Sequence, residues 1–142
     1  MKKEKYLATQ LSHKFNTRDP FKLASALDID VRYEEMGKGI GYCDENFRIK
    51  AIHISVNAEE KYFPFICAHE LGHLIMHANM NTLFLSTYTL FPINKLEKEA
   101  NLFAVELLLP DKLIMNHQSC SMECIANAVG IPEGFTFLKT LA

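Results

Sequence analysis

The chain lacks a strong excess of charge of either sign. Its 142 residues contain 15 Lys and Arg against 17 Asp and Glu, which gives a formal net charge of −2. Proteins that bind nucleic acids or anionic membranes through their surface field carry a basic excess, and this chain has none. The charge balance therefore argues against a nucleic-acid or membrane partner.

Long apolar runs are also missing. No run of 18 apolar residues occurs, so the sequence predicts no membrane-spanning helix. The basic residues 1–6 are not followed by the apolar core of a signal peptide, so we expect a cytoplasmic protein. A length of 142 residues predicts a single domain over residues 1–142, and the apolar content of 49% is ordinary for a globular protein.

The spacing of the four cysteines does not predict a structural zinc site. Three residues rather than two separate Cys120 from Cys124, and no second pair completes a four-cysteine site. In a reducing compartment all four cysteines are expected as thiols. Cys67 lies in an apolar run and is interpreted as a core residue, whereas Cys43 could act as an inhibitory metal ligand.

Periodicity predicts a mixed α+β arrangement. Helical spacing of apolar residues predicts a first helix over residues 3–15, and Asp19-Pro20 is typical of the start of a second. Alternation of apolar and polar residues predicts strands at 29–33 and 51–56, with a further strand within residues 42–49. A small sheet of about three strands therefore accompanies the helices.

The start of the next helix has two interpretations. Asn57, followed three positions later by Glu60, is the pattern of a capping box that would begin a helix there. Pro64 is tolerated in the first turn of a helix, so the helix could instead restart beside it. In either case the helix continues to about His77.

This helix carries the motif His69-Glu70-Leu71-Gly72-His73. Positions i and i+4 lie on one face of a helix, so the two imidazoles would point at one metal ion. Glu70 is placed to reach a metal-bound water rather than the metal, which is the arrangement of helical zinc metallopeptidases. Because the flanking residues are apolar, we expect a buried helix whose His and Glu side chains need such a partner.

A catalytic zinc needs one further protein ligand. A predicted helix over residues 96–109 carries Glu97 and Asn101 on one face, together with alanines that allow a second helix to approach. Glu97 is the first choice of ligand, and Asn101 could hydrogen-bond a ligand histidine. Glu99 points to nearly the opposite side and is the second choice. His77 lies too far along its helix to share the ion and is assigned a supporting contact.

Two sequence blocks together resemble the ImmA/IrrE family of metallopeptidases. The first is the 69–73 motif followed by His77, and the second is the run 97–104 followed by Glu106-Leu107-Leu108-Leu109-Pro110. Weaker similarity in the N-terminal half extends the resemblance over roughly residues 6–112. Residues 113–142 are then a short helical C-terminal extension of the same domain.

The resemblance implies a compact zincin-like fold, with a small sheet packed on the motif helix and a second helix that bears a ligand. It implies one zinc ion bound by His69, His73 and Glu97, with Glu70 as the general base. Members of this family cut helix-turn-helix repressors of prophages and mobile elements, so the implied partner is a cytoplasmic transcriptional repressor. The sequence does not decide between zinc and manganese in cells.

Two other functions stay open. A metal-containing binding module could inactivate a transcription regulator by sequestration without cleavage, although such a module would not need Glu70. A DNA-binding regulator that uses the C-terminal helices is disfavoured by the acidic charge balance.

Two details of the peptidase hypothesis concern the substrate. An extended substrate could pair with an edge strand of the sheet, for which the strand containing His53 is the candidate. A donor must also stabilise the tetrahedral oxyanion. The candidates for that donor are Tyr42, His53, Tyr88 and His117.

Overall fold

The computed structural model describes residues 1–77, 82–84 and 95–141. It confirms the α+β class. The helices are α1 (Lys3–Phe15), α2 (Pro20–Ala26), α3 (Phe63–Met76), α4 (Lys95–Leu108), α5 (Asp111–Asn116) and α6 (Met122–Ala128). The strands are β1 (Ile29–Glu34), β2 (Gly41–Asn46), β3 (Ile49–Ser55) and β4 (Thr82–Phe84). Two short 3₁₀ helices span Glu60–Tyr62 and Thr136–Leu138.

The sheet is small and mixed, with strand order β1-β3-β2-β4. β1 runs parallel to β3, while β2 is antiparallel to both β3 and β4. The predicted strands at 29–33 and 51–56 are confirmed as β1 and β3. The short β4 lies in an apolar segment that the sequence pattern did not assign. Because β3 lies between two strands, the prediction that the His53 strand is a sheet edge is wrong.

The predicted N-terminal helices are confirmed. α1 begins and ends where the apolar spacing placed it. At α2 the Asp19 carboxylate accepts a hydrogen bond from the Phe21 backbone N–H, and Pro20 occupies the first turn. Its missing N–H costs no helical hydrogen bond there.

The capping-box prediction for the motif helix is wrong. Asn57 donates its backbone N–H to the Ser55 hydroxyl and caps no helix, and the 3₁₀ helix that follows has no side-chain cap. α3 begins at Phe63, with Pro64 in its first turn. The alternative prediction, in which the helix restarts beside Pro64, is confirmed. A proline in the first turn breaks no helical hydrogen bond.

α3 is the central element of the core. Every residue from Phe65 to Leu74 is buried, so the helix is enclosed on all sides. It packs against α4, α2 and the sheet. Phe135, from the chain beyond α6, stacks on Phe65 with ring centroids 4.9 Å apart, so the C-terminal residues share this core. No helix among the described residues has the length and apolar character needed to cross a membrane.

α4 lies unusually close to α3 at Gly72. A Cβ atom at Gly72 would lie 3.0 Å from Cδ1 of Phe103, and Phe103 is itself completely buried. Ala100 and Ala104 are also completely buried, as expected for small residues at a close helix–helix contact. The glycine within the motif is therefore a packing requirement of the two helices.

We expect Gly72→Ala to destabilise the fold. Overpacking in a filled core costs about 1–3 kcal/mol, while alanine gains about 1 kcal/mol over glycine in helix propensity. The net loss in the free energy of unfolding is then up to about 2 kcal/mol, measured by urea denaturation. Gly37→Ala is the matched control, because a Cβ there meets nothing within 4 Å and should change stability by less than about 0.5 kcal/mol. A clear gain in stability for Gly72→Ala would contradict the packing argument.

Candidate metal centre

The motif helix brings three titratable side chains to one buried place. His69, Glu70 and His73 are completely shielded from solvent. One nitrogen or oxygen atom from each of the three side chains lies within 4.8 Å of the others. Within the part of the chain that the structure describes, no other group of three His, Cys, Asp or Glu side chains comes together in this way. The i, i+4 spacing of the two histidines on one helix face produces this convergence.

α4 adds a second carboxylate to the same place. Oε1 of Glu97 lies 3.3 Å from Nε2 of His69, and Oε2 lies 2.6 Å from Nε2 of His73. The 3.3 Å contact has hydrogen-bond geometry, whereas the 2.6 Å contact is not aligned as a hydrogen bond. Two imidazole nitrogens and one carboxylate thus lie together, and two histidines with one glutamate are a donor set of catalytic zinc sites. The residues present therefore fit a divalent metal ion.

Asn101 orients the first histidine. Its Oδ1 lies 2.7 Å from Nδ1 of His69. An amide oxygen only accepts, so Nδ1 of His69 carries the proton and donates it. The Nε2 lone pair then faces Glu97, as a metal ligand requires. Asn101 lies one turn beyond Glu97 on α4, and this spacing explains why both reach the same histidine.

His77 and Glu99 lie beside the second histidine and not at the point of convergence. Nδ1 of His77 is 3.0 Å from Nδ1 of His73, and Nε2 of His77 is 2.9 Å from Oε1 of Glu99. The other oxygen of Glu99 is 2.6 Å from the ammonium of Lys3 on α1. That ammonium lowers the pKa of Glu99, with a smaller contribution from His77. Glu99 thus reaches a different histidine from the two that Glu97 contacts.

Glu70 is a carboxylate held in apolar surroundings. Burial raises its pKa well above the ordinary value, and the negative charge of Glu97 adds to the rise. Neither of its oxygens has a well-aligned hydrogen-bond partner, and the thiol of Cys43, a weak donor, opposes the rise only in part. Sequence reasoning missed the proximity of Cys43 to Glu70. The signal was present in the alternation of β2, which turns Gly41 and Cys43 toward α3.

The other titratable groups of the centre favour metal ligation. Burial acts to raise the pKa of Glu97, but its contacts with His69 and His73 outweigh burial and lower it to about 2. Burial lowers the pKa of His69, and this direction favours the neutral imidazole. Neutral imidazole and ionised carboxylate are the forms that bind a metal.

Of the predicted oxyanion donors, the three that the structure describes, Tyr42, His53 and His117, lie outside the centre. Tyr42 and His53 pair across β2 and β3, their rings stacked at 4.1 Å, on the sheet face opposite Cys43. His53 contacts Glu34 and Asp44 there. His117 is exposed and bonds to the carbonyl of Leu113. Tyr88 lies outside the described residues.

The sequence matches known proteins along most of its length. Residues 24–136 match the Peptidase M78 family, described as the IrrE N-terminal-like domain. The chain is 38% identical over 136 residues to immunity region protein 2 of Bacillus phage phi105, covering 94% of this chain and 86% of that protein. It is 28% identical over 127 residues to metallopeptidase ImmA of Bacillus subtilis strain 168, covering 87% of this chain and 75% of that protein.

The fold, the buried His–Glu–His group and the matched family together define the class as metallopeptidase. The chain belongs to the ImmA/IrrE family, and the resemblance inferred from its two sequence blocks is confirmed.

Proposed function

We propose that this protein is a zinc-dependent endopeptidase that cleaves a specific cytoplasmic protein, a helix-turn-helix repressor of a prophage or mobile element. One observation carries the proposal. Two imidazole nitrogens from α3 lie against a carboxylate from α4, Glu97. A second carboxylate, Glu70, lies beside the same histidines and takes no part in their contacts with Glu97. Ligands and a separate general base are the two parts that hydrolysis of a peptide bond requires.

In this proposal His69, His73 and Glu97 hold the ion. Nitrogen ligands from two histidines and an oxygen from one glutamate match catalytic zinc sites, which keep a further position open. When bound, zinc would polarise the scissile carbonyl and lower the pKa of a water molecule. Asn101 holds the imidazole of His69 in the orientation that this binding needs.

Glu70 acts as the general base. A general base works best when its pKa lies near the working pH, and burial moves the pKa of Glu70 upward from the acidic range. A carboxylate without a strong hydrogen-bond donor is free to take a proton from water and to pass it to the leaving amine. The apolar surroundings that raise its pKa also exclude bulk water that would compete for that proton.

The relatives support the proposed kind of substrate. One relative is an immunity region protein of a phage, and another carries the name metallopeptidase. The family resemblance supplies the kind of protein, a helix-turn-helix repressor, and the net charge of −2 argues for a protein partner over DNA.

We expect Glu97→Gln to abolish tight zinc binding and Glu99→Gln to weaken it less. Loss of a supporting contact typically costs 10–100-fold in metal affinity, so loss of a ligand charge should cost more than about 100-fold. Competition with a chromophoric chelator measures both variants, with Zn²⁺ and with Mn²⁺. Equal affinities for Glu97→Gln and the unmodified protein would remove Glu97 from the ligand set.

Glu70→Gln tests the enzymatic role. The variant should bind zinc with nearly unchanged affinity, because Glu70 is not a ligand, and should lose at least about 100-fold in the cleavage rate, the size of a general-base contribution. The test substrate is a candidate helix-turn-helix repressor from the same genome, and intact mass spectrometry follows its cleavage. Undiminished cleavage by Glu70→Gln would refute the role of Glu70. An intact repressor held in a stable complex by the unmodified protein would instead establish sequestration.

A further inference from the structure

A continuous line of polar contacts leads away from the candidate metal centre to the first helix. It starts at Nδ1 of His73 and passes through both ring nitrogens of His77, at 3.0 Å and 2.9 Å, to Glu99. It ends at Lys3, 2.6 Å from the second Glu99 oxygen. Four residues from α1, the end of α3 and α4 thus form one chain, in which all members except Lys3 are buried.

Which group donates and which accepts in this line of contacts follows from its end at Glu99 and Lys3. Glu99 pairs with an ammonium and is therefore an ionised carboxylate, which can only accept hydrogen bonds. Nε2 of His77 must then carry the proton and donate it to Glu99. In a neutral imidazole the other nitrogen is an acceptor, so Nδ1 of His77 accepts a hydrogen bond from the Nδ1–H of His73.

The consequence for His73 concerns its second nitrogen. With the proton of the neutral ring on Nδ1, the Nε2 atom has a lone pair, and this atom faces Oε2 of Glu97 at 2.6 Å. His69 reaches the same state through Asn101, whose oxygen accepts a hydrogen bond from the His69 Nδ1–H. The two histidines therefore have separate supports that produce the same tautomer.

Backbone geometry places His77 for this contact. His77 is the residue at which α3 ends, and its φ of −124° and ψ of 87° turn the chain out of the helix. Its backbone N–H still donates to the carbonyl of His73 at 2.8 Å. Backbone and side chain of His77 thus bond to the same residue one turn earlier, which fixes the position of the ring.

We propose that His77, Glu99 and Lys3 are positioning residues that hold His73 in the Nδ1–H tautomer and so prepare its Nε2 atom for the metal. This inference rests on the proposed function, because it presumes that His73 is a ligand. It assigns Glu99 to the support of a ligand.

Two substitutions of His77 separate the contributions of its two ring nitrogens. Glutamine places its amide near the Nε2 position and can keep the contact with Glu99, but it removes the acceptor for His73. Asparagine places its amide oxygen near the Nδ1 position and can still accept the His73 proton. We expect His77→Gln to weaken Zn²⁺ binding by about 10–100-fold and His77→Asn to retain most of the affinity. Chelator competition on the full chain measures both, and thermal unfolding of the metal-free proteins checks that each variant folds.

A spectroscopic measurement reports the tautomer without relying on any variant. In the zinc-loaded protein with ¹⁵N-labelled histidine, the Nδ1 proton of His73 should exchange slowly with solvent and show a scalar coupling to Nδ1 of His77 across the hydrogen bond. His77→Gln should lose this coupling. Its absence in the unmodified protein would overturn the proposal whether or not the variants fold.

The measured affinities distinguish failure of the positioning proposal from failure of the proposed function. If the unmodified protein binds no Zn²⁺, both the positioning proposal and the proposed function are wrong. If it binds Zn²⁺ and loses binding in Glu97→Gln, but His77→Gln binds as tightly as the unmodified protein, only the positioning proposal is wrong. Equal weakening in His77→Gln and His77→Asn would show that His77 acts through packing, which also overturns the positioning proposal.

Discussion

The candidate centre depends on the close contact between α3 and α4. The two histidines come from one helix and Glu97 from the other, so their distances of 3.3 Å and 2.6 Å exist only while the helices are in register. The contact in turn requires a position without a side chain, Gly72, against the buried ring of Phe103. Interiors packed at crystal density transmit such constraints, since there is no free volume to absorb a shift. The glycine of the motif therefore belongs to the chemistry through its effect on geometry.

Two carboxylates in one buried place would repel each other if both were ionised. In this structure the two lie in different surroundings, which move their pKa values in opposite directions. Glu97 touches both imidazoles and keeps its charge, whereas Glu70 lies in apolar surroundings and its pKa is raised. A pair of acids whose pKa values are pushed apart in this way is the pattern by which acid–base roles are assigned in active sites. Burying a charge costs several kcal/mol unless it is compensated. A divalent cation at the point of convergence would offset this cost for both carboxylates, which is a physical reason to expect one.

Local patterns in the sequence predicted the parts of the fold that local chemistry controls. Asp19-Pro20 capped a helix as expected, because an N-cap needs only its own next residues. The i, i+4 histidines and the face of α4 with Glu97 and Asn101 were likewise legible from helix periodicity. The predictions that were wrong or missing concern features that depend on tertiary structure. Asn57 had the pattern of a cap, but the chain formed a 3₁₀ turn before Pro64. The position of β3 at the centre of the sheet, and of Cys43 against Glu70, depends on strand order, which no single segment encodes.

The contacts that support the two proposed ligand histidines also explain why one small domain uses so many of its elements for one centre. An imidazole that binds a metal must present a lone pair at one nitrogen, and the other nitrogen must give its proton to an acceptor. Asn101 does this for His69 from within α4, next to Glu97. His73 lies further along α3, where the acceptor is the ring of His77, and the contacts continue to Glu99 and α1. In the proposed site, metal binding would then be coupled to the docking of α1 as well as to the α3–α4 contact. Because an ion binds the folded chain with these elements in place, it would stabilise the fold in proportion to the logarithm of its concentration.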